Sequence, residues 1–145
     1  MAEVIGLLAS IIQVSSFGLH LGRTLKDYGS SVAGVDKRLK GLDKDIDFTS
    51  HVISELGSLL KDPRIQALVS ERSINLARDA VAECDAIFQA MEDIIANIRR
   101  NGMGKWKIYF RESKIGLLRS NLDRMKGNLQ LLLQVITSAN QLTSE

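Results

Sequence analysis

Apolar residues recur at alternating steps of three and four along four long segments, and this spacing constrains the fold more than any other feature. The four apolar stripes cover residues 4–28, 32–60, 74–98 and 115–139. In a helix, such spacing lines up one apolar side over about four heptads, and that side must pack against a neighbour. A single proline in 145 residues also leaves room for long helices. The sequence therefore predicts four amphipathic helices.

Three groups of turn-forming residues separate these helices, at 29–31, 61–63 and 101–104. Short connections between long helices favour antiparallel neighbours. We therefore expect residues 1–145 to form one all-α domain, an antiparallel up-down four-helix bundle. Ile65, Leu68 and Val69 fall out of phase with the third stripe. An extra short helix near 64–70, begun by Pro63 and capped by Asp62, or a kink near 70–73, would explain this.

Composition argues against several kinds of chemistry. The chain has one cysteine, Cys84, and two histidines, His20 and His51, so a disulfide or a clustered metal site is not expected. Cys84 stands on the third stripe, where a small core residue is wanted. The one glycine-containing basic turn, at 102–105, lacks the remaining glycines of a phosphate loop. We predict no enzyme activity, no cofactor and no small-molecule substrate.

The first segment has an unusual run of 19 uncharged residues, from Val4 to Gly22. This length is close to the minimum for a membrane-spanning helix. Eight of the 19 are Gly, Ser, Gln or His, however, which favours a helix packed in a soluble fold at rest. Gly18 occupies a stripe position where a large residue would pack, and we interpret this as lowering the cost of leaving the bundle. Close helix packing within the bundle is the alternative explanation for the small residues.

A second unusual segment is the basic stretch 99–114. It carries six cations against one carboxylate, a net charge of +5 in a chain whose total is +2. Aromatic residues lie among the cations, a pattern that suits an anionic lipid surface. The candidate lipid contacts are Arg99, Arg100, Lys105, Trp106, Lys107, Tyr109, Arg111 and Lys114. Two alternatives remain. The stretch could bind nucleic-acid phosphates, an interpretation that depends on this stretch alone and is not favoured, or its aromatic residues could pack over one end of the bundle.

The opening residues 1–14, MAEVIGLLASIIQV, resemble the start of fungal HeLo-like domains, as does the segment with Trp106, Ile115, Leu118, Leu122, Lys126, Leu129, Leu131 and Leu133. The resemblance spans nearly the whole chain and rests on hydrophobic patterns. HeLo-like domains stand at the N-terminus of fungal NOD-like (STAND) receptors. They are helical bundles linked to programmed cell death and heterokaryon incompatibility.

The resemblance implies a non-enzymatic cell-death or signalling domain. In that scheme a receptor oligomerises, the bundle rearranges, and the N-terminal helix moves from the cytoplasm to the plasma membrane. The implied membrane-effector residues are Val4, Leu7, Leu8, Ile11, Ile12, Gln13, Val14, Ser16 and Phe17. The implied partners are anionic lipid and other copies of the same kind of domain. The alternative is a soluble oligomerisation or adaptor module that binds only proteins.

Overall fold

The computed structural model describes residues 2–31, 41–101 and 114–144, with side chains in 3–27, 41–96 and 115–138. These residues form helices and no strand. The helices are α1 (Ala2–Ser31), α2 (Leu42–Leu60), α3 (Pro63–Leu68), α4 (Glu71–Asn101) and α5 (Lys114–Ser144). The all-α prediction is confirmed, and so is a short helix near 64–70.

The apolar stripes predicted from the sequence form the core. Within the described side chains, each stripe position is buried except Val4 and Leu118, which are half-buried. Ile46, Ile53, Phe88 and Leu122, for example, have no exposed surface. The heptad spacing therefore identified the inner side of every long helix, because a stripe that repeats every 3.5 residues stays on one side of a helix.

Contacts across the core give the direction of each helix pair that involves α1. Ile11 packs against Gly57 while Gly22 packs against Asp47, so α1 and α2 run in opposite directions. The rings of Phe17 and Phe88 pack edge to face, with their centroids 6.2 Å apart and their planes at 90°. Arg78 reaches the Glu3 carbonyl, so α1 and α4 run in the same direction.

The remaining pairs follow from ion pairs and shared surfaces. Arg124 of α5 pairs with Glu83 of α4, and residues 131–135 lie beside residues 73–76, so these helices run in opposite directions. Asp45, near the start of α2, pairs with Arg119 and Lys126, both in the first half of α5. Helices α2 and α5 therefore lie side by side. They point the same way, because α2 runs opposite to α1, α1 runs with α4, and α4 runs opposite to α5. Neighbouring helices are antiparallel only within the α1/α2 and α4/α5 pairs.

The short helix α3 connects α2 to α4 and contacts α2 and α5. Its first turn is fixed locally: Asp62 Oδ1 accepts a hydrogen bond from the Arg64 amide at 2.9 Å, and Pro63 occupies the first position. Hydrogen bonds from the Arg64 side chain and amide lower the pKa of the Asp62 carboxyl. Gln66 Nε2 donates to the Leu60 carbonyl at 2.7 Å, which ties α3 to the end of α2.

Candidate functional surfaces

Helix α1 presents an exposed side with no charged residue between Glu3 and Arg23. We call this surface the α1 outer face, and it consists of the exposed residues Ile5, Gly6, Ala9, Ser10, Ile12, Gln13, Ser16 and His20. Ile5 is 67% exposed and Ile12 is 56% exposed. By length and composition, Glu3–Asp27 could cross a membrane, and only 33% of its apolar window is buried in the fold. Charged residues stand at the two ends of this face and not within it.

The nine candidate membrane-effector residues divide into three groups in the structure. Leu7, Ile11 and Val14 are buried in the core. Val4, Leu8 and Phe17 are half-buried against it. Ile12, Gln13 and Ser16 are exposed on the α1 outer face. At rest, therefore, only one third of the candidate set is accessible to a lipid surface, and Ile12 is the sole large apolar side chain in that third.

Gly18 leaves no empty space in the core, although it stands at a stripe position where a large side chain would otherwise pack. A Cβ atom at this position would collide with Ser50 Oγ and would lie 2.7 Å from Phe88 Cε2. One turn later, a Cβ atom on Gly22 would collide with Asp47 Oδ1. The two glycines let α2 and Phe88 approach the α1 backbone closely, so the packing alternative is the correct one here. The interpretation that Gly18 loosens helix α1 was wrong, because the missing side chain is replaced by Phe88.

The structure leaves the predicted lipid contact of the basic stretch untested. Lys105, Trp106, Lys107, Tyr109 and Arg111 lie outside the described residues. Arg99 and Arg100 belong to the end of α4 and Lys114 begins α5, but their side chains are also outside the described set. The lipid contact of this stretch stays a prediction.

Cys84 is fully buried within the core. Burial, with a smaller contribution from the neighbouring Glu83 carboxylate, raises the pKa of its thiol to about 12. A thiol in this environment stays protonated at neutral pH and is a poor nucleophile. His20 and His51 are exposed on different helices, α1 and α2. Within the described ranges, no group of three or more His, Cys, Asp or Glu could hold a metal ion.

The sequence interpretation missed an apolar groove between α4 and α5. Its volume is about 400 Å³. The α4/α5 groove is lined by Ser73, Leu76, Asp79, Ala80, Glu83, Met125, Asn128, Leu131, Leu132 and Val135. Three of these, Leu76, Leu131 and Val135, are 53–63% exposed. They lie outside the heptad stripes. Large apolar residues at positions outside the stripes are the sequence feature from which the groove could have been predicted.

The groove lies beside an acidic part of α4. Residues 79–98 contain five carboxylates and no cation. Asp79, Glu92 and Asp93 are exposed, and Glu83 and Asp85 are half-buried. The charged side chains that line the groove, Asp79 and Glu83, are both acidic. Glu83 is paired with Arg124, and the structure gives Asp79 no ion pair among the described residues. The groove therefore has an apolar floor and, at its edge, one carboxylate that is not paired among the described residues, Asp79.

Comparison of the chain with family models, with curated proteins and with solved structures finds no match.

Proposed function

We propose that this chain is a non-enzymatic signalling domain of the cell-death type, in which α1 contacts the membrane after copies of a parent receptor associate. The observation that carries the proposal is the α1 outer face. Amphipathic helices that only stabilise a soluble fold usually carry charges on their outer side. The middle of this face carries none and exposes Ile5 and Ile12. The resemblance of residues 1–14 to HeLo-like domains supports the same function.

We also infer that the four long helices form an up-down bundle. The pair directions support this, since α1, α2, α4 and α5 alternate in direction along the chain. All four contribute buried residues to one core, for example Ile11, Ile53, Phe88 and Leu129. In this arrangement α1 and α5 are diagonal, so α1 contacts only α2 and α4 closely and forms one outer corner of the bundle.

A first contact with lipid can use the α1 outer face while the bundle stays intact. Burying the exposed parts of Ile5 and Ile12 is worth about 1–2 kcal/mol each. Such a gain is too small to hold one copy on a membrane. Several copies joined in one receptor assembly bind together, and their contributions reinforce one another as in any multivalent contact. The weak single-copy contact explains why association would come first.

Insertion requires α1 to leave the bundle. Its buried side chains, such as Leu7 and Ile11, would exchange contact with the core for contact with acyl chains, so their apolar surface stays out of water. The close contacts at Gly18 and Gly22 must break in that step, and they hold α1 in place at rest. In this proposal the basic stretch 99–114 binds anionic headgroups and draws the domain from the cytoplasm to the plasma membrane.

The test is a liposome sedimentation and leakage assay with anionic and with neutral vesicles, made on copies of the chain that a fused coiled coil holds in one assembly. Replacing Gln13 and Ser16 with glutamate leaves the resting fold intact, because both side chains are exposed. A charge at the centre of a bilayer helix costs about 2.5–3.5 kcal/mol, so we expect the double variant to lose leakage and to bind vesicles at least about tenfold more weakly. Wild-type protein is expected to bind anionic vesicles and release their contents.

A matched control separates insertion from net charge. Ser54 and Ser58 are exposed on α2, and replacing both with glutamate adds the same two negative charges on another helix. This control should bind and leak nearly as the wild type does. If the Gln13/Ser16 variant performs as well as the control, or if the wild type binds neither kind of vesicle, α1 is not a membrane effector.

One observation favours a second candidate function, a soluble oligomerisation or adaptor module. The α4/α5 groove exposes Leu76, Leu131 and Val135 on a side of the molecule away from α1. Exposed apolar clusters of this kind often mark protein contacts. Under this function, variants of the α1 outer face would leave activity unchanged in the receptor, and groove variants would abolish it.

A further inference from the structure

We propose that the α4/α5 groove of one copy binds the basic aromatic segment 102–113 of a second copy. This contact concerns association between copies and does not depend on membrane binding. Its receiving surface is fully within the described residues: a groove of about 400 Å³ with Leu76, Leu131 and Val135 exposed on its floor and rim. That volume lies in the range of pockets that hold small ligands or anchoring side chains.

Charge complementarity identifies the occupant. Of the two carboxylates that line the groove, Glu83 is paired with Arg124, whereas Asp79 is exposed and has no ion pair among the described residues. Residues 79–98 of α4, which begin at the groove, carry five carboxylates without a cation. The segment 102–113 carries Lys105, Lys107 and Arg111 against Glu112. Opposite charges around a contact speed and orient association, and they fix the register of the two surfaces. No other run of similar length in this chain combines this excess of cations with several aromatic residues.

The apolar content of the segment also matches the groove. Trp106 is the one tryptophan of the chain, and Met103, Tyr109 and Phe110 lie near it. Tryptophan, tyrosine and arginine carry a large share of the binding energy at protein interfaces, most of all when they enter a water-excluding pocket. A tryptophan side chain placed over Leu76 and Leu131 would cover apolar surface that the single copy leaves in water.

Chain length excludes Trp106 of the same copy from the floor of its groove. Leu76 lies 25 residues before Asn101 in α4, which at 1.5 Å per residue is about 37 Å along the helix. Trp106 follows Asn101 by five residues, and five extended residues span at most about 17 Å. The indole cannot bridge the remaining distance. A segment from a second copy has no such restriction, so the contact joins two copies.

The contact pairs two different surfaces, a groove on one copy and a segment on the next. A heterologous contact of this kind adds copies head to tail and does not stop at two unless a ring closes. Lipid and the groove would compete for the same segment, so the test is made without lipid. Sedimentation equilibrium of the wild-type chain should give masses that rise above the monomer with concentration and fall again at high salt.

Two variants remove one surface each. Asp79→Lys reverses the groove edge and is exposed, so the fold is kept. Trp106→Ala removes the anchoring side chain of the segment. If the Trp106→Ala protein melts at a lower temperature than the wild type, the double variant Lys105→Glu and Lys107→Glu is used in its place. Each is expected to weaken association by about tenfold or more, since a central anchor or a reversed charge is affected. Glu55→Lys makes the same charge change on α2 and should associate as the wild type does.

A mixture gives the decisive measurement. The Asp79→Lys copy keeps its segment and the Trp106→Ala copy keeps its groove, so an equal mixture contains one intact combination and should form dimers that grow no further. A wild type that stays monomeric at every concentration overturns the proposal, as does an Asp79→Lys chain that associates like Glu55→Lys. A mixture without dimers overturns the pairing of groove and segment. These measurements contain no lipid and leave α1 unchanged, so their outcome is distinguishable from that of the leakage assay with the Gln13/Ser16 variant.

Discussion

At the scale of single residues, Cys84 shows how the core changes the chemistry of a side chain. Its thiol is fully buried, and burial raises its pKa from the ordinary value of 9.0 to about 12. The unfolded chain therefore releases this proton at lower pH than the folded chain does. The contribution of the protonated thiol to the free energy of unfolding is fully present below about pH 9. It is lost as the pH rises from about 9 towards 12.

We accordingly expect Cys84→Ala to keep the fold and to lose about 1 kcal/mol of stability at neutral pH through its small packing defect. Above pH 9 the difference from the wild type should shrink or reverse, because alanine has no proton to release. Thermal melts of both proteins across this pH range measure the effect. A constant difference up to pH 12 would mean that the thiol titrates normally and is not sealed in the core.

At the scale of elements, the contact between α1 and α2 depends on the glycines of α1. Gly18 has no room for a Cβ atom, while Gly127 on α5 has nothing within 4 Å of that position. The same substitution should therefore have opposite effects at the two sites. Gly18→Ala should destabilise the protein by about 1–3 kcal/mol, as overpacking does. Gly127→Ala should stabilise it by about 0.5–1 kcal/mol, because alanine favours helices.

Chemical denaturation of the two glycine variants separates these effects from the general preference of helices for alanine. Equal gains in stability at both sites would show that α1 and α2 are not in close contact at Gly18. The comparison also bears on function, since the free energy that α1 must recover on leaving the bundle includes this contact. A tightly packed α1 is held in the resting bundle more firmly than the loosely packed helix that its composition indicated.

At the scale of the whole molecule, the core is common to all four long helices, so a buried charge on any one of them should unfold the protein. Leu122 has no exposed surface, and Leu117 on the same helix is 63% exposed. Leu122→Asp should abolish the cooperative melt, because an unpaired charge in a dry core costs several kcal/mol. Leu117→Asp, with the same change in charge and volume, should melt within a few degrees of the wild type.

Circular dichroism melts of the two aspartate variants check this directly. If Leu122→Asp melts as Leu117→Asp does, the inner side of α5 is not the one that the heptad spacing identifies. The same measurement on Leu42→Asp extends the test to α2, where Leu42 is 1% exposed. Together these variants show whether the helices share one cooperative core.

Three features could be predicted from the sequence because each depends on short-range spacing. The heptad stripes located the inner residues of every long helix, from Leu7 to Ile136. Asp62 and Pro63 predicted the start of α3, since a cap acts within one turn. The exposed positions of Gln13 and Ser16 followed from their place between stripe residues.

Which helices become neighbours was decided only by the tertiary structure. Short connections make consecutive helices alternate in direction, but they do not determine that α1 packs beside α4, or α2 beside α5, with both pairs parallel. The arrangement of neighbouring helices determines what surrounds each small residue. Phe88 of α4 packs against Gly18, although the position of Gly18 in the sequence is equally consistent with a gap in the core. The same arrangement also brings Leu76 beside Leu131 to form a groove. Spacing along a helix determines which side is apolar, whereas the surface that covers each side comes from residues far away in the chain.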